Sequence, residues 1–184
     1  MTGEARSPAE PTRFCRGALA DAPAVIALVQ SAYRGESSRQ GWTTEADLLD
    51  GQRTDAEEVE GVLADPEARL ILAHNSTGLV GCVAARREPD GTHIGMFAVR
   101  PELQGHGIGR RLLNEAERVG RVELGGQLAI LHVISVRSEL LEWYARCGYR
   151  DTGRKEAFPY GNPRFGLPKR DDLEFAVLCK ALKT

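Results

Sequence analysis

The chain has 184 residues, of which 42% are hydrophobic and 27% charged, with a formal net charge of −2. That length fits one compact domain with a sizeable core. The small charge excludes a strong bulk attraction to nucleic acid or to an anionic membrane, and no apolar run approaches the length that spans a bilayer. Residues 1–12 are polar, rich in Pro and Ala and without an apolar signal core. They read as a disordered tail ahead of a single domain over 13–184. Residues 13–17 read as a short first strand. Asp21 caps a helix with Pro23 in its first turn, running to about Tyr33 with Val25, Leu28, Val29 and Ala32 on its apolar face. Residues 35–51 are irregular and hold Trp42. Thr54 and Glu57 form a capping box for a second helix that ends near Asp65-Pro66. Residues 69–74 and 79–87 read as two strands joined by the turn Asn75-Ser76-Thr77-Gly78. The turn Glu88-Pro89-Asp90-Gly91 leads into a third strand from Thr92 to Val99. A glycine-rich turn and a helix beginning at Arg110 follow, then an apolar strand over 127–135. The stretch 138–149 reads as a helix with Ser138 at its N-cap and Gly148 just past its end. Residues 158–168 are crowded with Gly, Pro and aromatics, and 172–180 is the last strand. The order gives a mixed α/β sheet flanked by helices.

The turn Gln104-Gly105-His106-Gly107-Ile108-Gly109 carries the most chemistry. A glycine-rich turn from strand to helix leaves backbone N–H groups bare at the positive end of a helix dipole, which seats a phosphate or pyrophosphate. Gly107 and Gly109 let a ligand approach the main chain. A Walker loop is ruled out because Arg110 and Arg111 follow Gly109. A dinucleotide fingerprint fails because its third glycine position falls on Arg110, and the loop comes at mid-chain. A glycine-rich turn without a ligand stays open on the hexapeptide alone. Cys15, Cys82, Cys147 and Cys179 are widely spaced, with no Cys/His cluster of metal-ligating spacing, so no metal is expected. They read as buried small hydrophobes in a reducing, cytoplasmic compartment.

The pattern Gln104-x-x-Gly107-x-Gly109 resembles the acetyl-coenzyme A loop of the GNAT N-acetyltransferase superfamily. A second signature of that family, aromatic-Tyr-x-x-x-Gly-aromatic, is matched by Trp143, Tyr144, Gly148 and Tyr149. The resemblance runs from about Phe14 to about Leu182. It implies a mostly antiparallel sheet whose strands splay at the acetyl-CoA site. It also implies direct acetyl transfer from acetyl-CoA, as co-substrate, to an amine. Backbone contacts at Phe97, Ala98 and Val99 would receive the pantetheine arm. Gln104, Gly105, His106, Gly107, Ile108, Gly109 and Arg110 would surround the pyrophosphate. Many relatives carry a cofactor-binding asparagine seven residues before the tyrosine, where this chain has Arg137, so Arg137 becomes a phosphate candidate.

The reaction needs a neutral amine. A lysine-like amine has a pKa near about 10.4, so losing its proton at pH 7 costs on the order of 4–5 kcal/mol. The departing thiolate needs a proton. The resemblance makes Tyr144 the general acid, against the alternative that it only packs with Trp143. It places His93 in the slot where some relatives carry a basic glutamate. Imidazole chemistry suits that role, and strand alternation, if no bulge intervenes, sets His93 on one face with Gly95 and Phe97. A surface histidine beside the turn is the alternative. Acceptor specificity belongs to the loops 35–51 and 158–168. Glu36, Trp42, Glu45 and Tyr160 are the candidate contacts there, and the acids, with Asp47, hint at a cationic acceptor. The expected partner is an amine-bearing small molecule or peptide, not nucleic acid or membrane, and a homodimer is compatible with the fold. The rivals are a coenzyme A-binding regulatory module without turnover and a Rossmann-type nucleotide binder.

Overall fold

The structure, a computed structural model, describes residues 11–183. The expected tail therefore lies outside the described residues up to residue 10. The elements in chain order are β1 (Arg13–Arg16), α1 (Ala22–Tyr33), α2 (Gly35–Ser38), β2 (Leu49–Asp50), α3 (Ala56–Ala64), β3 (Ala68–Asn75), β4 (Gly78–Glu88), β5 (Gly91–Val99), α4 (Ile108–Val122), β6 (Leu128–Ile134), α5 (Ser138–Arg146), β7 (Arg150–Ala157), β8 (Leu167–Pro168) and β9 (Glu174–Ala181). Seven strands make one sheet in the order β1-β3-β4-β5-β6-β9-β7, and β2 pairs with β8 separately. Neighbouring strands run antiparallel except β5 and β6, which run parallel.

The period of two along the central strands sorts the core into two layers. In β3, Leu70 and Leu72 pack with Val25, Leu28, Val29 and Ala32 of α1 and Val59 of α3. Ile71 and Ala73 face the other way, onto Leu112, Leu113, Ala116 and Val119 of α4. These α4 residues recur at helical spacing and form one apolar stripe. Gly120 ends that stripe because a Cβ there would come within 2.9 Å of Thr92 Cγ2. The close approach holds α4 against the start of β5.

That start is where β5 and β6 stay together. Their pairing is limited to Thr92–Ala129 and His93–Ile130, after which the strands diverge. On the other side β5 stays paired with β4 through a bulge. Met96 and Phe97 face the single β4 residue Val83, and Met96 takes φ +45°. A left-handed non-glycine residue costs on the order of 1–3 kcal/mol. In return the bulge rotates the strand end: Met96 and Ala98 join the α1 layer, while Phe97 and Val99 turn to the α4 layer. His93 therefore does not share a face with Phe97, which corrects the alternation read from sequence.

Local details also depart from expectation. The α3 cap is Asp55, whose Oδ1 accepts the Glu58 N–H at 2.8 Å, while Thr54 Oγ1 donates to the Glu58 carboxylate at 2.7 Å. Arg137 rather than Ser138 caps α5. Residues 35–51 and 158–168 are not wholly irregular, because β2 and β8 pair across them, Leu49 with Pro168 and Asp50 with Leu167. The outer strand β7 is exposed along nearly its whole length, and its pairing with β9 slips between Asp151 and Lys155.

The cysteines split by environment. Cys82 and Cys147 are buried, whereas Cys15 is exposed, so the expectation of four buried thiols fails at the sheet edge. Burial pushes the Cys82 thiol up to about 12. Since the thiolate is the nucleophile, brief iodoacetamide treatment of the folded protein is expected to label Cys15 and to spare Cys82 until denaturant is added. Peptide mass mapping reads this out, and early labelling of Cys82 would contradict the buried assignment.

Candidate active site

The gap between β5 and β6 opens onto the start of α4. Gly105 and Gly107 take φ +82° and +81°, left-handed values that favour glycine, and Gly107 is the N-cap of α4. The first intrahelical bond runs from Arg111 N–H to Gly107 C=O at 3.2 Å. The N–H groups of Ile108, Gly109 and Arg110 therefore point out of the helix start. The Ile108 side chain is buried in the α4 core and anchors this turn. Gln104 positions the loop: its Oε1 accepts from Thr43 N–H at 3.2 Å, and its Nε2 donates to Thr43 Oγ1 at 2.8 Å and to the Val99 carbonyl at 3.0 Å. Its amide is thus committed to the fold rather than turned to a phosphate. Gln104→Ala removes three hydrogen bonds, each with a net value near about 1 kcal/mol. It is expected to weaken acetyl-CoA binding about tenfold by calorimetry, and unchanged affinity would deny the latch.

Two cavities meet beneath this loop. The first, about 410 Å³, is lined by Gly105, Gly107, Gly109, Arg110, Arg146 and Trp143 among others. The second, about 670 Å³, runs from Arg34, Arg53 and Arg137 past His93 and His132 to Phe158 and Phe175. Tyr33, Phe97, Leu140 and Tyr144 line both. Tyr144 is 5% exposed. Trp143 meets its ring edge-on at 5.0 Å and Tyr149 at 5.6 Å. Burial, with Tyr33 adding to it, pushes the Tyr144 phenol well above its ordinary range. Among the described residues its hydroxyl has no hydrogen-bond partner. In this part of β5, residues 97 and 99 turn their backbone toward the gap, since Ala98 and Arg100 face β4. The Tyr33 hydroxyl donates to the Phe97 carbonyl and Gln104 to the Val99 carbonyl. Both carbonyls are thereby satisfied, and the Val99 N–H is what the regular end of β5 offers a ligand across the gap.

The wall beside Tyr33 is cationic. Glu45 is buried, and its oxygens accept from Arg34 Nη1 at 2.6 Å and Arg137 Nη1 at 2.9 Å. Burial alone would raise its pKa, but Arg137, Arg53 and Arg34 outweigh burial and hold the carboxyl below its usual range. Arg137 Nη2 also donates to the Thr43 carbonyl at 2.6 Å.

The expected contacts distribute unevenly over this geometry. Phe97, Val99, Gln104, Gly105, Gly107, Gly109 and Arg110 line the first cavity. Trp42, expected at the acceptor, lines that cavity too, 6.0 Å from Trp143. Ala98 is buried against α1. The His106 ring is exposed and turns back on the Gln104 carbonyl at 3.0 Å. Arg137 lines the second cavity rather than the first and is held by Glu45 at 2.9 Å. Glu36 lies outside both cavities, with a side chain 90% exposed and paired to Arg39 at 3.0 Å. Tyr160 is likewise exposed, and its hydroxyl accepts from Leu173 N–H at 2.6 Å and donates to the Arg170 carbonyl at 3.2 Å. It pins its own loop. His93 lines the second cavity with its Nε2 2.7 Å from Asp90, and its ring lies 5.2 Å from that of His132. Sequence reasoning missed Tyr33, Arg34 and Arg53. The signal available was a Tyr-Arg pair closing an otherwise apolar helix.

A sheet split between two parallel strands, a glycine-turned helix start beside the split and a buried phenol where two cavities join define a group-transfer enzyme that seats a phosphorylated donor. The model of the acetyltransferase (GNAT) family matches residues 26–149, and the chain belongs to this family of acetyl-CoA-dependent N-acetyltransferases. The ribosomal-protein-S18-alanine N-acetyltransferase of Escherichia coli superposes with a TM-score of 0.69 at 11% identity, over 95% of this chain and 96% of that one. The spermidine/spermine N-acetyltransferase SpeG of Vibrio cholerae gives 0.65 at 14% identity, over 93% and 92%. Nourseothricin acetyltransferase gives 0.55 at 24% identity, over 65% and 68%. At these identities the likeness is one of fold. No curated protein matches in sequence.

Proposed function

We propose that the chain acetylates the amine of a small molecule lodged in the second cavity, by direct attack, with Tyr144 as the acid. The observation that carries this is Tyr144, a buried side chain whose hydroxyl has no partner among the described residues, on the wall common to both cavities. The first cavity fits coenzyme A. It has two left-handed glycines and helix-start N–H groups at one end, Arg110 and Arg146 on its wall, and Phe97 and Val99 of β5 along its side. Acetyl-CoA supplies a thioester carbonyl activated toward amines. The residues of the chain do the rest. Gly105, Gly107, Ile108, Gly109 and Arg110 hold the pyrophosphate, and the Val99 N–H aligns the arm. Trp143 and Phe97, with ring centroids 6.1 Å apart, exclude water. Tyr144 keeps its proton through neutral pH and donates it to the leaving sulfur.

For His93 we propose the proton acceptor at the far end of the second cavity. It stands four strand residues, roughly 13 Å, from Phe97, so it drains the amine's proton rather than touching the reacting nitrogen. The four cysteines are free, which suits a reducing compartment such as the cytoplasm. Among the described residues no helix is long and apolar enough to cross a membrane. A thiol-release assay over a panel of amines tests the reading. Amine-dependent release is expected, and tight acetyl-CoA binding with no release for any amine would leave a binding module instead.

A further inference from the structure

Among the described residues four arginines line the second cavity, Arg34, Arg53, Arg86 and Arg137, against three glutamates, and its anions are already committed. Its carboxylates are Glu45, Glu57 and Glu58. Glu45 is shared between Arg34 and Arg137. Glu57 turns outward, 83% exposed, to Arg164 at 3.4 Å. Glu58 accepts the Thr54 hydroxyl at 2.7 Å and contributes to the field at Arg53 without contacting it. Arg86, also on the cavity wall, is paired with Asp65 at 3.2 Å. Glu36 and Asp47, the acids that hinted at a cationic acceptor, are taken up by Arg39 on the outside.

Arg53 stands apart from this bookkeeping. Its backbone N–H donates to Gln30 Oε1 at 2.9 Å. Its guanidinium lies over the Tyr33 ring, 5.4 Å from the centroid, and has no hydrogen-bond or ion-pair partner among the described residues. Arg34 adds to the surplus, since its Nε and Nη2 are buried without partners. The Arg53 side chain is half-buried, so its unpaired guanidinium stays open to the cavity, and its fork matches a planar carboxylate. Tyr33, under Arg53, also lines the junction at Tyr144, so an anion at Arg53 lies a short spacer away from the reacting amine. Beyond the cluster the wall is apolar, with Leu131, Val133, Phe158 and Phe175.

From this charge pattern we propose that the acceptor is an amino acid: an amine bearing a carboxylate and an apolar body, whose carboxylate is received by Arg53. Polyamines are disfavoured, because a second ammonium would meet the three guanidiniums. The inference rests on the acetyltransferase reading for the amine and on the cavity alone for the carboxylate.

The test uses four ligand arms: an apolar amino acid, its amide, the matching aminophosphonate and a polyamine. Each is measured by thiol release and, separately, by calorimetry on the full chain. We expect the amino acid to exceed its amide at least about tenfold in kcat/KM, as a charge-assisted pair allows. Arg53→Gln is expected to bring that ratio to about one, chiefly by raising KM, and Arg53→Lys to restore part of it, which separates charge recognition from a folding defect. A preference for the amide or the polyamine, or a ratio unmoved by Arg53→Gln, overturns the proposal. A preference for the aminophosphonate over the amino acid overturns the carboxylate assignment. If no amine supports thiol release while the amino acid still binds in an Arg53-dependent way, the anion site stands and the acetyltransferase reading is what fails.

Discussion

Tyr144→Phe is expected to lower kcat for amine acetylation by about 10²–10⁴-fold, the span of a lost general acid, while acetyl-CoA affinity stays within a few-fold. The substitution isolates the hydroxyl. The ring remains wedged between Trp143 and Tyr149, so packing is retained, and no protein group among the described residues loses a hydrogen bond. Phenylalanine is therefore expected to melt close to the wild-type temperature, since no hydrogen bond among the described residues is lost and the hydroxyl opens onto the cavities. The phenol's raised pKa, caused first by burial, keeps it protonated far above neutrality. It acts as a donor throughout the working range and does not set the alkaline limb of the pH profile. Stopped thiol-release assays and thermal melts on both proteins decide the matter. A variant that turns over like wild type would reduce Tyr144 to a core aromatic.

Glu45→Ala is expected to destabilise the fold by about 3–5 kcal/mol, the range for breaking a buried ion pair from one side. Among the described residues the carboxylate is the one anion directly bonded to Arg34 and Arg137. Its loss leaves those guanidiniums, with Arg53 nearby, enclosed and mutually repelling. The pH dependence follows in sign. Burial works against the charged carboxyl, but Arg137, Arg53 and Arg34 hold its folded pKa below the unfolded value. The folded state thus binds fewer protons than the unfolded one as pH falls. The stabilisation is fully present above the unfolded value, near about 4.3, and is lost as pH falls through the folded one. Denaturant melts between pH 3 and 7 are expected to show wild type losing stability on acidification more steeply than Glu45→Gln. Parallel pH curves for the two proteins, or a Glu45→Ala penalty below about 0.5 kcal/mol, would contradict the network.

The parts of this molecule legible in its sequence are those set by local chemistry. Gln104 to Gly109 announced a helix start without side chains in the way, and Trp143-Tyr144 with Gly148-Tyr149 announced the helix that faces it. The strands β3 and β4 were legible as apolar runs joined by the turn Asn75-Ser76-Thr77-Gly78, and α1 by its apolar face at helical spacing. What stayed hidden depends on how distant pieces meet. Glu36 and Glu45 sit on one loop with similar neighbours, yet one is solvated and the other enclosed. The difference arises because Gln104 and Arg137 hold Thr43 and turn the chain inward. The bulge at Met96 has no marker, since neither Gly nor Pro stands there, so the face assigned to His93 came out reversed. Tyr33, Arg34 and Arg53 come from a helix end and a loop and become one cluster only when α1 and α3 dock on the same side of the sheet.

The outer strand β7 bears on how the protein behaves in concentrated solution. An exposed strand edge is a template for other chains. Here the edge carries Arg150, Asp151, Arg154, Lys155 and Glu156, and the slip between Asp151 and Lys155 breaks the ladder at its middle. The opposite edge, β1, spans four residues and is bounded by Arg13 and Arg16. An incoming strand would find few consecutive hydrogen-bonding groups on either side and a mixed row of charges along the longer one. Among the described residues the sheet is thus capped against end-to-end growth into fibrils by charge and irregularity.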